Sequence, residues 1–171
     1  MTFVDQEQHQ LVEQIADILI DHRETVSVAE SSSGGLVSAC LLSYPGASRY
    51  FVGSSVLYSY PIREALVGMG VEEHKPYGGS TPELVLDLAT KFQQRIRTDW
   101  CIGEGGAAGP SPSPYGHPAG YTALAVSGPL RRTGTIETGL SSRADNMTRF
   151  TTELLRLFLA VLREHHPSPS T

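Results

Sequence analysis

A stretch rich in β-branched residues, Thr25 to Ala29, runs directly into "ESSSGG" and then into an apolar, helix-like segment from Gly34 to Ser43, which "YPG" at 44–46 stops. Strand, tight turn and helix in immediate succession open a βα unit, and the same alternation continues along the chain. Upstream, Leu11, Ile15, Ile18 and Leu19 recur at helical spacing and predict an amphipathic helix to about His22. Downstream, "YFVGSSVLYSY" reads as a strand, and Pro61 opens a helix, "PIREALVGMG", that Gly70 ends. "GGSTPELVLDLATKFQQRI" reads as a helix with a capping box formed by Ser80 and Glu83 and an apolar stripe of Leu84, Leu88 and Phe92.

"DWCIG" is a short strand, and "EGGAAGPSPSPYGHP" is a glycine- and proline-rich loop. "AGYTALAVSG" and "TIETGLSS" read as two neighbouring strands joined by a polar turn at Arg131 to Gly134. "NMTRFTTELLRLFLAVLRE" closes the chain as a helix, with Phe150, Leu154, Leu157, Phe158 and Val161 inward. The pattern predicts a single layered α/β/α domain over residues 1–165, with a mostly parallel mixed sheet and one antiparallel pair, followed by a flexible tail at 166–171. At 171 residues the chain is long enough for one substantial core. In such sheets ligands bind beyond the carboxyl ends of the strands, where both the serine turn and the 104–118 loop fall.

A net charge of −5 argues against a nucleic-acid partner, since neutralising phosphates needs a basic patch. No apolar run reaches the length of a membrane span, and the first ten residues lack the blocks of a secretory signal, so the expectation is a cytoplasmic protein with no membrane partner. Cys40 and Cys101 lie in separate apolar segments and are expected as buried free thiols, with no metal site and no cofactor.

The serine turn admits two readings. At a helix N-terminus, the N–H groups of Ser31 to Ser33 favour negative charge and would hold a phosphate, a carboxylate or the oxyanion formed when a serine attacks a carbonyl; Gly34 and Gly35 would allow close approach. The plainer reading is a helix cap. The turn is neither the G-x-S-x-G elbow of esterases nor a P-loop.

Ala29, Glu30, Ser31, Gly34 and Gly35, then Pro45, Gly46, Ser48 and Phe51, then Tyr58, Ser59, Leu66 and Gly68, and finally "GGAAGPSPSPYGHPAGYTALAV" follow the order of the motifs of the CinA C-terminal domain family, which this chain resembles over most of its length. That family includes nicotinamide-nucleotide amidohydrolases. The resemblance implies that Ser31 attacks the carboxamide of nicotinamide mononucleotide, releasing ammonia through a covalent serine intermediate without a metal. It implies a small-molecule nucleotide substrate, a pocket wall drawn from Glu30, Ser32, Ser33, Gly34, Gly35, Gly105, Gly106 and Ala107, and self-association as an open question.

Two departures bear on the chemistry. Where the family has a lysine five residues after its tyrosine, this chain has Arg63, which stays protonated and offers no acceptor. Gly105 replaces a family hydroxyl residue and is preceded by Glu104. Tyr58, beside Arg63, would need its pKa lowered by about two to three units to act as a base near neutrality. Glu30, Glu104, His74, Lys75 and His117 are the other titratable groups near these motifs. Three readings stay open: an amidohydrolase with catalytic residues Ser31, Tyr58 and Arg63, an inactive relative that binds a nucleotide or small anion, and an interaction domain with a vestigial pocket.

Overall fold

The structure, a computed structural model, describes residues 4–167; residues 168–171 of the expected tail lie outside the described residues. Asp5 starts the first helix, α1 (Gln6–His22), through a reciprocal capping box: its carboxylate accepts from the Gln8 N–H at 2.8 Å, and the Gln8 side chain accepts from the Asp5 N–H at 3.2 Å. The chain then forms β1 (Val26–Glu30), α2 (Leu36–Ser43) and β2 (Phe51–Val56). α3 (Tyr60–Val67), α4 (Val71–His74) and α5 (Pro82–Ile96) follow, then β3 (Trp100–Ala107), β4 (Tyr121–Ser127), β5 (Arg132–Glu137) and α6 (Arg143–His165).

Among the described residues five strands form one sheet in the order β2-β1-β3-β4-β5. β1 pairs in parallel with β2 and β3, while β3–β4 and β4–β5 are antiparallel. The sheet is therefore evenly mixed, with two antiparallel pairs where one was expected. The physical reason lies at 108–120: with no helix to carry the chain back across the sheet, β4 must run antiparallel to β3.

Helices cover both faces. α1, α2 and α6 close one side over Ile15, Leu19, Val28, Trp100, Ile102 and Phe158. α3 and α5 close the other over Leu57, Leu84, Leu88, Phe92 and Cys101. Cys40 and Cys101 are free and buried, and burial pushes both thiols up to about 12. Among the described residues no helix is long and apolar enough to cross a membrane.

Several boundaries differ from expectation for identifiable reasons. β3 extends through Ala107, so the first residues assigned to the loop, Glu104 to Ala107, pair with Tyr121 to Leu124. β5 begins at Arg132, within the stretch read as a turn. α3 ends at Gly68, whose φ of 64° only glycine adopts without strain, and Gly70 instead precedes α4. The α5 cap is Thr81, whose hydroxyl accepts from the Leu84 N–H at 3.2 Å; Ser80 is thereby released from the capping role. α6 begins three residues early, at Arg143 rather than Asn146, with Ser142 as its cap.

Phe158 is fully buried and meets the Trp100 ring edge-on at 5.8 Å. Phe158→Ala should cost about 3–5 kcal/mol by urea denaturation, whereas Val52→Ala on the exposed side of edge strand β2 should stay within about 0.5 kcal/mol.

Candidate functional site

The parallel pairing sets Ala29 opposite Gly103, so the next residues come side by side: Glu30 at the carboxyl end of β1 and Glu104 within β3, where it also pairs with Leu124 of β4. Both are buried, and each ends in a different set of donors. Glu30 turns forward to cap α2: Oε2 accepts from the N–H groups of Gly35 (2.9 Å) and Val37 (3.2 Å), and Oε1 accepts from the Ser38 N–H (3.3 Å) and the Ser38 hydroxyl. No serine side chain caps this helix; its N-cap is Gly35 in the left-handed region.

Glu104, 2% exposed, fills the turn itself. Its Oε1 accepts from the N–H groups of Ser31 (2.7 Å) and Ser33 (2.8 Å), and its Oε2 from the hydroxyls of Ser32 (2.7 Å) and Thr122 (3.2 Å). Ser33 Oγ sits 2.8 Å from a carboxylate oxygen of both glutamates, and its single proton serves one at a time. The negative charge expected at these N–H groups is therefore supplied by the protein's own side chain.

This network separates the three serines. The hydroxyls of Ser32 and Ser33 donate into buried carboxylates, whereas Ser31, among the described residues, gives the network only its N–H. Ser31 is 7% exposed and lines a cleft of about 370 Å³. The cleft also contains Tyr58, Arg63, His74, Ser80, Gly106 and Tyr115. A second cleft of about 280 Å³ adjoins it, sharing Tyr58, Gly106, Ser113 and Pro114, and is bounded by Ser32, the 106–114 segment and Arg143.

The sequence-derived residues thus divide. Ser31, Tyr58, Arg63 and Gly106 meet at the larger cleft, and Ser32, Tyr58, Gly106 and Ala107 at the smaller. Glu30 and Ser33, expected at the ligand, are wholly buried in the network behind it. Gly34 and Gly35, at φ of 66° and 103°, shape the turn without lining either cleft. Gly105 lies beneath the site: a Cβ built there would stand 3.9 Å from both Ser31 Cβ and Ser80 Oγ.

Arg63 is 8% exposed; its Nε donates to the Leu57 carbonyl at 2.8 Å, and its guanidinium carbon lies 5.9 Å from the Tyr60 ring centre. Burial pushes its pKa below the usual value, yet a guanidinium still offers no acceptor. Tyr58 is 61% exposed, and its hydroxyl accepts from Arg143 Nη2 at 3.4 Å.

Three contributors to the cleft were not assigned to it from the sequence, His74 among them although it was noted there as a titratable group near the motifs. His74, 5% exposed, packs against Tyr60 at 5.1 Å and Tyr115 at 5.3 Å, and those two tyrosines share a hydrogen bond. Both its ring nitrogens are buried without a hydrogen-bond partner among the described residues. Burial and the nearby Arg63 charge lower its pKa, which keeps the imidazole neutral at physiological pH. Ser80 and Arg143 are the others; each was hidden by a helix boundary misplaced by one to three residues.

An α/β domain with a serine turn at the carboxyl edge of its parallel strands defines a class of protein. Within that class the chain belongs to the CinA C-terminal domain family, whose model matches residues 8–162. It is 37% identical over 115 residues to a CinA-like protein of Prochlorococcus marinus strain MIT 9313, covering 67% of this chain and 27% of that protein. It is 38% identical over 106 residues to one of Parasynechococcus marenigrum strain WH8102, covering 62% and 25%. The chain therefore spans about a quarter of the length of these relatives. The competence/damage inducible protein CihA of Agrobacterium tumefaciens shares the fold, with a TM-score of 0.87 at 22% identity over 94% of this chain and 99% of that one. A CinA superfamily protein of Klebsiella pneumoniae gives 0.86 at 19% over 92% and 98%.

Glu104→Ala would strand buried donors that each cost about 1–3 kcal/mol unpaired. It should lower unfolding stability by more than about 3 kcal/mol, and Glu104→Gln by less, since the hydroxyls of Ser32 and Thr122 can turn to accept from the amide. For His74 the folded pKa lies below the ordinary 6.5, so the unfolded chain binds more protons and stability falls as pH drops through and below that value. The loss of Tm between pH 7.5 and 5.5 should be smaller in His74→Gln than in the parent protein.

Proposed function

We propose that the protein is a serine amidohydrolase acting on a carboxamide-bearing pyridine mononucleotide, nicotinamide mononucleotide being the substrate that the family resemblance implies. The observation that carries this reading is the division of the serine turn: two hydroxyls are tied to buried carboxylates, while Ser31 faces the cleft. Tyr58, Tyr60 and Tyr115 give the cleft faces on which a flat, positively charged pyridinium stacks. The smaller cleft, with Arg143 at the start of a 23-residue helix, suits the phosphate end of the same molecule.

In this mechanism Ser31 Oγ bonds to the carboxamide carbon and its proton passes to the neutral His74 imidazole. The tetrahedral adduct collapses, the C–N bond breaks, and the departing amine takes the proton from His74 as ammonia. Water then adds to the acyl-serine and returns the carboxylate product and free Ser31. His74 supplies the acceptor that Arg63 lacks, while Arg63 holds positive charge beside the cleft for the oxyanion or the substrate. Ser80, near Ser31, offers a hydroxyl close to the place that Gly105 leaves bare.

One observation favours a second reading, binding without turnover: an arginine anchored to the Leu57 carbonyl stands where the family places lysine. Ammonia release from nicotinamide mononucleotide separates the two. Hydrolysis should be present in the parent protein, absent in Ser31→Ala, and reduced at least a hundredfold in kcat by His74→Gln. Arg143→Ala should instead raise KM about tenfold or more with kcat largely kept. Saturable nucleotide binding with no ammonia from the parent protein would reject the enzymatic reading in favour of the second.

A further inference from the structure

At the end of the sheet remote from Ser31, where β1 and β3 begin, the segment after α1 meets the last turn of α6. The Glu24 carboxylate is the hub. Its Oε2 accepts from the Trp100 indole N–H at 2.7 Å and lies 3.0 Å from His166 Nε2, while Oε1 lies 3.9 Å from His165 Nε2. One oxygen of Glu24 and one nitrogen from each of the two histidines all fall within 4.8 Å of one another, and all three residues are partly buried. His22 stacks on His166 with ring centres 3.6 Å apart.

We propose that Glu24, His165 and His166 form a binding site for a zinc-class divalent cation, with water completing the shell. Two imidazoles and a carboxylate are a zinc-type donor set, unlike the all-oxygen sets of magnesium and calcium. Bonds of about 2.0–2.1 Å in a tetrahedron separate ligand atoms by about 3.3 Å. The observed separations, 3.0 Å from His166 Nε2 to Oε2 and 3.9 Å from His165 Nε2 to Oε1, lie on either side of that value, and with the three ligand atoms within 4.8 Å of one another the side chains close on an ion by rotamer adjustment.

The surroundings are also built for ligation. Trp100 is fully buried and meets Phe158 and His165 edge-on, so its N–H holds the Glu24 carboxylate from behind, as orienting groups behind metal ligands do. The backbone N–H of His166 is tied to the Leu162 carbonyl at 2.8 Å, which fixes the end of α6. A metal on His166 Nε2 takes the place of the hydrogen bond that this atom shares with Glu24. The bound ion would clamp the end of α6 to the α1–β1 junction. The seven residue steps from Glu24 to Ser31, about 23 Å of extended chain, keep this clamp apart from the cleft chemistry.

The test uses the full chain without an affinity tag, stripped of metal, with zinc chloride as the probe in calorimetry and thermal melts. One zinc should bind per chain, and zinc a hundredfold above Kd should raise Tm by about 5–10 °C, while magnesium should leave Tm unchanged. Glu24→Gln keeps an acceptor for Trp100, and His166→Ala removes only an imidazole; each should weaken zinc binding at least tenfold. Absence of saturable binding, zinc binding undiminished in both variants, or an equal Tm rise with magnesium would overturn the proposal.

Discussion

Glu104 reaches from β3 into the turn after β1, and the candidate site depends on what its carboxylate holds there. One oxygen takes the N–H groups of Ser31 and Ser33, and the other takes the hydroxyls of Ser32 and Thr122. Hydrogen bonds to a charged acceptor are worth about 1.5–3 kcal/mol each, and in a buried setting their loss is costly. The turn is therefore pinned to the neighbouring strand rather than shaped by its own sequence alone. Glu30 does the corresponding work one residue earlier in β1, directing its carboxylate at the first turn of α2. Two buried acids, brought side by side by strand register, tie strand, turn and helix into one rigid piece with Ser31 at its surface.

That arrangement changes how the serine cluster is understood. A run of hydroxyls at a helix start suggests an anion site, and an anion is indeed held there, but it belongs to the chain. The consequence for chemistry is selective. The hydroxyls of Ser32 and Ser33 are committed as donors, so neither is free to act as a nucleophile without breaking a buried charge-assisted bond. The oxyanion of any acyl transfer at Ser31 must then find donors other than the N–H groups of Ser31 and Ser33, and Arg63 across the cleft is one source of compensating charge.

The fold was largely legible because its signals are local. The apolar stripes of α1, α5 and α6 and the β-branched run of β1 are written within a few residues, and each element formed where its periodicity placed it. The errors in the strands share one cause. Glycine, and to a lesser degree glutamate and alanine, are poor strand formers by propensity, yet Glu104–Ala107 and Arg132–Gly134 are strands because β4 lies beside them to accept the pairing, and tertiary context overrides propensity. Gly106 is required there: a Cβ would come within 2.1 Å of the Tyr121 carbonyl. The site was legible only where it follows a motif. Ser31, Tyr58 and Arg63, grouped by the order of the family's motifs, line one cleft, but nothing near His74 in sequence announces that Tyr60 and Tyr115 will enclose it.

Replacing a buried lysine by arginine trades a titratable group for a permanent one. A lysine ammonium in such a place can be desolvated until it releases its proton and becomes a base, whereas a guanidinium under the same pressure keeps its charge. Arg63 is buried, and its pKa is lowered by that burial, so the chain bears the desolvation cost without gaining an acceptor. The same buried charge acts on its neighbour. Together with burial it drives His74 toward the neutral form, and a neutral imidazole is an acceptor at physiological pH. The arginine that offers no acceptor itself thus helps to keep a neighbouring one neutral. In the mechanism proposed above, the proton acceptor is therefore the imidazole held between Tyr60 and Tyr115 rather than the fifth residue after Tyr58, where the positive charge stays.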